Sequence, residues 1–165
     1  MIRFETSLGD FTVELLPDEA PQTVENFLRY VDESFFDGTL FHRVVPGLVI
    51  QGGGLTSGFQ SKTTHPPVKN EANNGLKNLR GTLSMARTND PHSATSQFFV
   101  NLRDNDFLDQ KSGQHGYAVF GRVTAGMDVI DRIAAVSTGR RKGYDDAPLE
   151  DVLIRSARRV TAAAK

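Results

Sequence analysis

The chain has 165 residues, 38% of them hydrophobic, with 19 Lys and Arg against 20 Asp and Glu, a net charge of -1 and no cysteine. That length is most simply one domain with a substantial core, expected over residues 1–160. The near-neutral balance gives no electrostatic reason to expect nucleic acid or an anionic membrane as partner, and disulfides, thiolate nucleophiles and cysteine-held metals are excluded.

The chain opens MIRFETSLGDFTVELL, an acid-containing, strand-like start unlike a signal peptide, and no apolar run approaches the roughly 20 residues that span a bilayer. A cytoplasmic location is the expectation. Residues 2–6 and 11–16 read as a hairpin around Leu8-Gly9-Asp10. Pro21 then opens a segment with Val24, Phe27, Leu28 and Val31 at helical spacing, predicting an amphipathic helix of about three turns. Residues 39–45 and 48–51 read as strands separated by Pro46-Gly47. The stretch 52–80 is rich in Gly, Asn, Lys, Pro and Thr without periodicity, a length that points to a functional or self-packed loop. Strands are expected at 82–87, 97–102 and 118–123, a second amphipathic helix at 127–136, a last strand at 152–158 and a frayed tail at 161–165. About eight strands with two widely spaced helices suit a mainly β, antiparallel sheet closed into a barrel and capped by the helices.

Several chemistries fail on inspection. Gly53 to Gly58 has phosphate-loop spacing, but Phe59 follows where a lysine is required. The glycines 52–54 fit a tight turn needing positive φ better than a nucleotide site. His42, His65, His92 and His115 lie far apart with no zinc-ligand spacing, and no GxSxG elbow frames a serine. The basic run Arg140, Arg141, Lys142 sits in a Gly-containing loop and reads as a solvated turn. Any chemistry is therefore expected to proceed without cofactor or metal.

Period-two reading of QFFVNL at 97–102 puts Phe98, Val100 and Leu102 on an apolar face and Gln97, Phe99 and Asn101 on the other. An aromatic between two amides suits the wall of a partly wet pocket. In 82–87, Leu83 and Met85 oppose Thr82, Ser84 and Ala86, whose small side chains leave room for something to lie against them. The same alternation puts Phe41, Arg43 and Val45 together and His42 with Val44. On pattern alone Arg43 reads as a charge reaching the surface from an edge strand or pairing with a remote carboxylate.

FHRVVPGLVIQGGG at 41–54, NEANNGLKN at 70–78, GTLSMAR at 81–87, SQFFVN at 96–101 and FLD with YAVFGRV between 107 and 123 together resemble the cyclophilins, above all the single-domain bacterial members. The resemblance implies a peptidyl-prolyl cis–trans isomerase with an eight-stranded barrel, two capping helices and a groove outside the barrel. It places the family arginine at Arg43 and the glutamine beside it at Gln51. It puts the proline pocket at Val49, Phe99 and Leu108 with Tyr117 at its edge, substrate-backbone contacts at Ala86, Arg87 and Thr88, and a second groove glutamine at Gln97. Leu48 and Val49 stand where phenylalanine and methionine are usual. Phe107 replaces the tryptophan of many eukaryotic members, Arg87 an asparagine and Tyr117 a histidine. Loss of the indole donor implies weak cyclosporin binding at most. The expected partners are proline-containing peptides and unfolded proteins, and the expected state is a monomer. Two rivals stand beside this reading: a proline-peptide-binding or chaperone module that needs no catalysis, and a barrel holding an apolar ligand inside. His92 is expected to fix the loop before the 97–102 strand, and Phe107 to act as a loop anchor or a substrate contact.

Overall fold

The computed structural model describes residues 1–160, so the tail expected at 161–165 lies outside the described residues. The strands are β1 (Ile2–Thr6), β2 (Gly9–Leu15), β3 (Arg43–Val45), β4 (Val49–Gly52), β5 (Thr82–Met85), β6 (Phe98–Asn101), β7 (Val119–Ala125), β8 (Thr138–Arg141), β9 (Tyr144–Pro148) and β10 (Ile154–Arg159). Helix α1 spans Pro21–Asp32, helix α2 spans Met127–Ala134, and a short 3-10 turn covers Asp106–Leu108. Eight strands form one sheet in the order β10-β1-β2-β7-β5-β6-β4-β3, with every ladder antiparallel.

The sheet curls into a barrel-like half-shell, and the expected full closure is corrected. β3 and β10 are its edges and share no ladder. Backbone bonds from the segment ahead of β3 span the seam: Gly38 N–H to Ile154 O (2.8 Å), Ile154 N–H to Thr39 O (2.8 Å) and Phe41 N–H to Val152 O (3.0 Å). The strand expected at 39–45 is shortened to three residues because Phe41 and His42 leave the ladder. Phe41 enters the core beside Val44 instead of sharing a face with Arg43, and His42 turns onto the ring of Tyr144. The proline-glycine break proves to be the hairpin turn that sets the register: Leu48 N–H reaches Val45 O at 2.9 Å with Gly47 at φ 74. That is the geometry Pro-Gly favours.

The concave side is filled by rings. Phe4, Phe11, Phe27, Phe36, Phe41, Phe98 and Phe120 are fully buried, with Phe4 and Phe11 stacked at 4.8 Å. A buried side chain of that size contributes roughly 2–3 kcal/mol, so the interior is a core and not a ligand cavity. This removes the apolar-carrier rival. α1 buries Val24, Phe27, Tyr30 and Val31. Leu28, expected on that face, is only partly buried, and Tyr30 takes its place with its hydroxyl accepting from His65 N–H at 3.0 Å. α2 covers the other end through Val129, Ile130 and Ile133. The β8–β9 hairpin had no readable alternation, since TGRR and YDDAP are largely polar and only Ala147 and Pro148 among them are buried.

The 52–80 stretch is tied to β7, the 3-10 turn and the loop between them through asparagines four residues apart. Asn70 Nδ2 donates to Gly116 O (3.0 Å), Asn74 Nδ2 to Val119 O (3.1 Å) and Asn78 Nδ2 to Leu108 O (3.2 Å). Glu71 in the same loop caps α1 from outside the helix, accepting from Gln22 N–H (3.2 Å), Thr23 N–H (2.7 Å) and Thr23 Oγ1 (2.7 Å). The helix's own N-cap, Ala20, has no side chain for that task.

Replacing Glu71 by Ala is expected to lower stability by about 1–2 kcal/mol in chemical denaturation, because the orphan N–H groups of α1 lose both an acceptor and a favourable charge. Burial, with Arg43 adding to it, pushes the His42 imidazole down to about 4. The unfolded chain therefore takes up a proton near pH 6.5 that the folded chain refuses until near pH 4, and stability falls as pH drops through that window. Comparing denaturation at pH 7 and pH 4.5, the wild type is expected to lose roughly 2–3 kcal/mol more than His42→Leu.

Candidate active site

The pairing register lays one row of side chains across four strands. Arg43 opposes Gln51, Gln51 opposes Phe99, and Phe99 opposes Ser84. The adjacent row, Val44, Ile50, Val100 and Leu83, is wholly buried. Because strand side chains alternate, the same register that fills the core turns Arg43, Gln51 and Phe99 to the convex face. There a cleft of about 420 Å³ is lined by Arg43, Leu48, Val49, Gln51, Ala86, Arg87, Phe99, Phe107, Leu108 and Tyr117. Ten of the twelve expected site residues thus meet in one groove. The other two, Thr88 and Gln97, line a smaller cleft of about 190 Å³ beside it, which shares Gln51, Ala86 and Arg87 with the groove.

Arg43 is half-buried and, among the described residues, forms no ion pair. Among the described residues the remote carboxylate that would make it structural is missing. Its polar partner is Gln51, whose Oε1 lies 3.4 Å from Nη1. Gln51 in turn donates Nε2 to Gln97 Oε1 at 3.0 Å, so the Gln97 carbonyl fixes the Gln51 amide with its oxygen toward Arg43. The groove holds a guanidinium with most donors uncommitted, backed by an oriented amide and faced by apolar side chains.

The triple glycine has three separate reasons, and the turn requiring positive φ is only one of them. Gly53 adopts φ 93. A Cβ on Gly52 would run into the backbone carbonyl of Leu40, and one on Gly54 would sit 2.6 Å from Gln97 Cγ. Gly54 therefore makes room for the glutamine that orients Gln51.

Behind the groove lies a buried polar cluster that pattern reading missed. Asn78 Oδ1 accepts from Ser84 Oγ (2.5 Å) and Asn101 Nδ2 (3.1 Å). Its Nδ2 serves Leu108 O and Asp109 Oδ1 (3.0 Å) and reaches Tyr117 O at 3.4 Å. Asn101, read on the same half-polar face as Phe99, is instead fully buried, donating to Thr82 Oγ1 at 2.9 Å and accepting from Asn105 Nδ2 at 2.9 Å. What lies against the small face of β5 at Ser84 is this loop asparagine. The cluster secures the backbone of Leu108 and Tyr117, two walls of the groove. The available signal was the spacing of Asn70, Asn74 and Asn78 within NEANNGLKN. His92 pins the neighbouring loop, its Nδ1 accepting from Asn70 N–H at 3.1 Å. Phe107, on the 3-10 turn, stands half-exposed on the rim.

The family model for "Cyclophilin type peptidyl-prolyl cis-trans isomerase/CLD" matches residues 1–159. The chain belongs to this family. It is 54% identical over 160 residues to peptidyl-prolyl cis-trans isomerase B of Escherichia coli, covering 94% of this chain and 97% of that one. It is 53% identical to the Streptomyces antibioticus isomerase cyp18, covering 95% and 96% respectively. In fold it is similar to a Cryptosporidium parvum cyclophilin type isomerase solved in the presence of the dipeptide Ala-Pro, with TM-score 0.80, 24% identity and coverage of 97% and 98%. Among the described residues no helix is long and apolar enough to cross a membrane.

Gly54→Ala is expected to displace the Gln97 side chain and separate it from Gln51. The side-chain amide signals of both glutamines should shift in two-dimensional NMR, and Gln97→Ala should move the Gln51 amide in the same direction.

Proposed function

We propose that the groove catalyses rotation about X-Pro bonds, with Arg43 as the catalytic group and Gln51 as its orienting partner. The observation that carries this reading is an arginine that among the described residues has no carboxylate partner, held beside an apolar wall on the outside of a filled barrel. Rotation about a peptide bond meets a barrier of ~18–20 kcal/mol because the nitrogen lone pair is delocalised into the carbonyl. The cis and trans prolyl forms are close in energy yet exchange over tens of seconds or longer. In the twisted state the lone pair is localised and basic. A guanidinium donating to that nitrogen binds the twisted form more strongly than either planar form, which lowers the barrier with no covalent step. Arginine suits the task because it keeps its charge and offers several rigidly placed donors.

Val49, Phe99 and Leu108, with Tyr117 at the edge, take the proline ring, so that one side of the bond is held while the other turns. Leu48 and Phe107 close the rim, Ala86 and the main chain of Arg87 border the substrate backbone, and Thr88 with Gln97 serve the residues before or after the X-Pro pair through the smaller cleft. The substrates are proline-containing segments of unfolded or flexible proteins. The enzyme works as a monomer in the cytoplasm and binds cyclosporin weakly, since Phe107 offers a ring without an indole donor.

Arg43→Ala is expected to lower kcat for prolyl isomerisation by about 10²–10³ while peptide affinity changes little, the loss typical of removing one charge-stabilising donor. A proline-peptide-binding module without catalysis predicts the opposite, an unchanged isomerisation rate in the variant.

A further inference from the structure

Arg87 lines the groove, yet its side chain is already engaged. The guanidinium carbon lies 4.3 Å from the centroid of the Tyr117 ring. Nη1 donates to Thr88 O at 2.9 Å, and Nη2 donates to His115 O at 3.0 Å and reaches Gly116 O at 3.4 Å. Nε is buried and has no partner among the described residues. An unpaired buried donor is costly, so this pose is fixed by the ring and the three carbonyls and not by satisfaction of every donor. Tyr117 in turn meets Phe99 edge-to-face at 5.7 Å, and its N–H is bound to Leu108 O at 2.9 Å.

These contacts form a chain from the end of β5 to the proline-holding wall. The guanidinium lies over the Tyr117 ring, which stands nearly perpendicular to that of Phe99, while the carbonyls of His115 and Gly116 tie the 109–117 loop to the residues after Met85. A guanidinium suits this because it stacks flat and donates in its own plane at the same time. A lysine ammonium has a charge but no plane and no fork.

We infer that Arg87 is a positioning residue: it presses Tyr117 against Phe99 and so pre-forms the proline pocket, without itself touching the bond that turns. The inference rests on the prolyl-isomerase reading of the groove, and it reassigns a side chain expected to bind substrate backbone. A pre-formed wall acts equally on planar and twisted substrate, so its loss appears in binding and not in turnover.

The test compares Arg87→Met, which keeps length and apolar contact but no charge or donors, with Arg87→Lys, which keeps charge alone. Isomerisation kinetics, the dissociation constant of an Ala-Pro-containing peptide and the Tyr117 ring signals in NMR are measured for each, with thermal melting as a folding control. Arg87→Met is expected to raise KM and the peptide dissociation constant about three- to tenfold, to leave kcat within about twofold and to shift the Tyr117 ring signals. Arg87→Lys is expected to recover part of each change. An unchanged KM and peptide affinity in Arg87→Met would overturn the inference, as would a fall in kcat at constant KM. Failure of the Arg43 mechanism would be seen separately, as an unaltered kcat in Arg43→Ala while the Arg87 affinities still changed.

Discussion

The functional face depends on a single register. With Arg43 paired to Gln51, Gln51 to Phe99 and Phe99 to Ser84, the groove residues stand on the convex side. The neighbouring row, Val44, Ile50, Val100 and Leu83, then fills the interior. A slip of one residue in the β3–β4 ladder would drive the Arg43 guanidinium toward the buried phenylalanines and turn Val44 out of the core row. Burying an unpaired charge costs far more than the few kcal/mol that separate folded from unfolded proteins. The core therefore specifies the site, and the charge of Arg43 in turn disfavours any other register.

A second level of support sits behind the groove. The buried asparagines 78, 101 and 105 join β5, β6 and the 3-10 turn through paired donors and acceptors. Such a network is stabilising only when its members are satisfied, and here each amide finds partners among strand, loop and turn. The result is a wall whose apolar surface faces the groove while its backbone is held from behind. Tyr117 receives support from both sides, through its backbone carbonyl at Asn78 and through its ring at Arg87.

Much of this was legible in the sequence, and the parts that were not share a physical cause. The half-polar face of QFFVNL correctly separated Phe98, Val100 and Leu102 from Phe99, because a strand with one buried face must alternate. The same rule failed for Phe41, which leaves the ladder and enters the core. It failed also for Asn101 and Ser84, whose polar side chains are buried against a loop that pairs with them. Alternation reports which face a residue occupies and says nothing of what a distant segment brings to that face. The role of Glu71 as a cap for a helix 48 residues earlier, and that of Gly54 as space for Gln97, are likewise set by tertiary approach. The resemblance to the cyclophilins located the groove residues, and the register explains why they meet.

In the proposed mechanism Arg43 acts on the prolyl nitrogen of a substrate whose ring is held by Val49, Phe99, Leu108 and Tyr117. The most direct measurement is a crystal structure of the protein with a short X-Pro peptide bound. The proline ring is expected in that pocket, with a guanidinium donor of Arg43 directed at the prolyl nitrogen and Gln51 retained against the guanidinium. A peptide bound with its proline elsewhere, or with Arg43 turned away from the X-Pro bond, would contradict it.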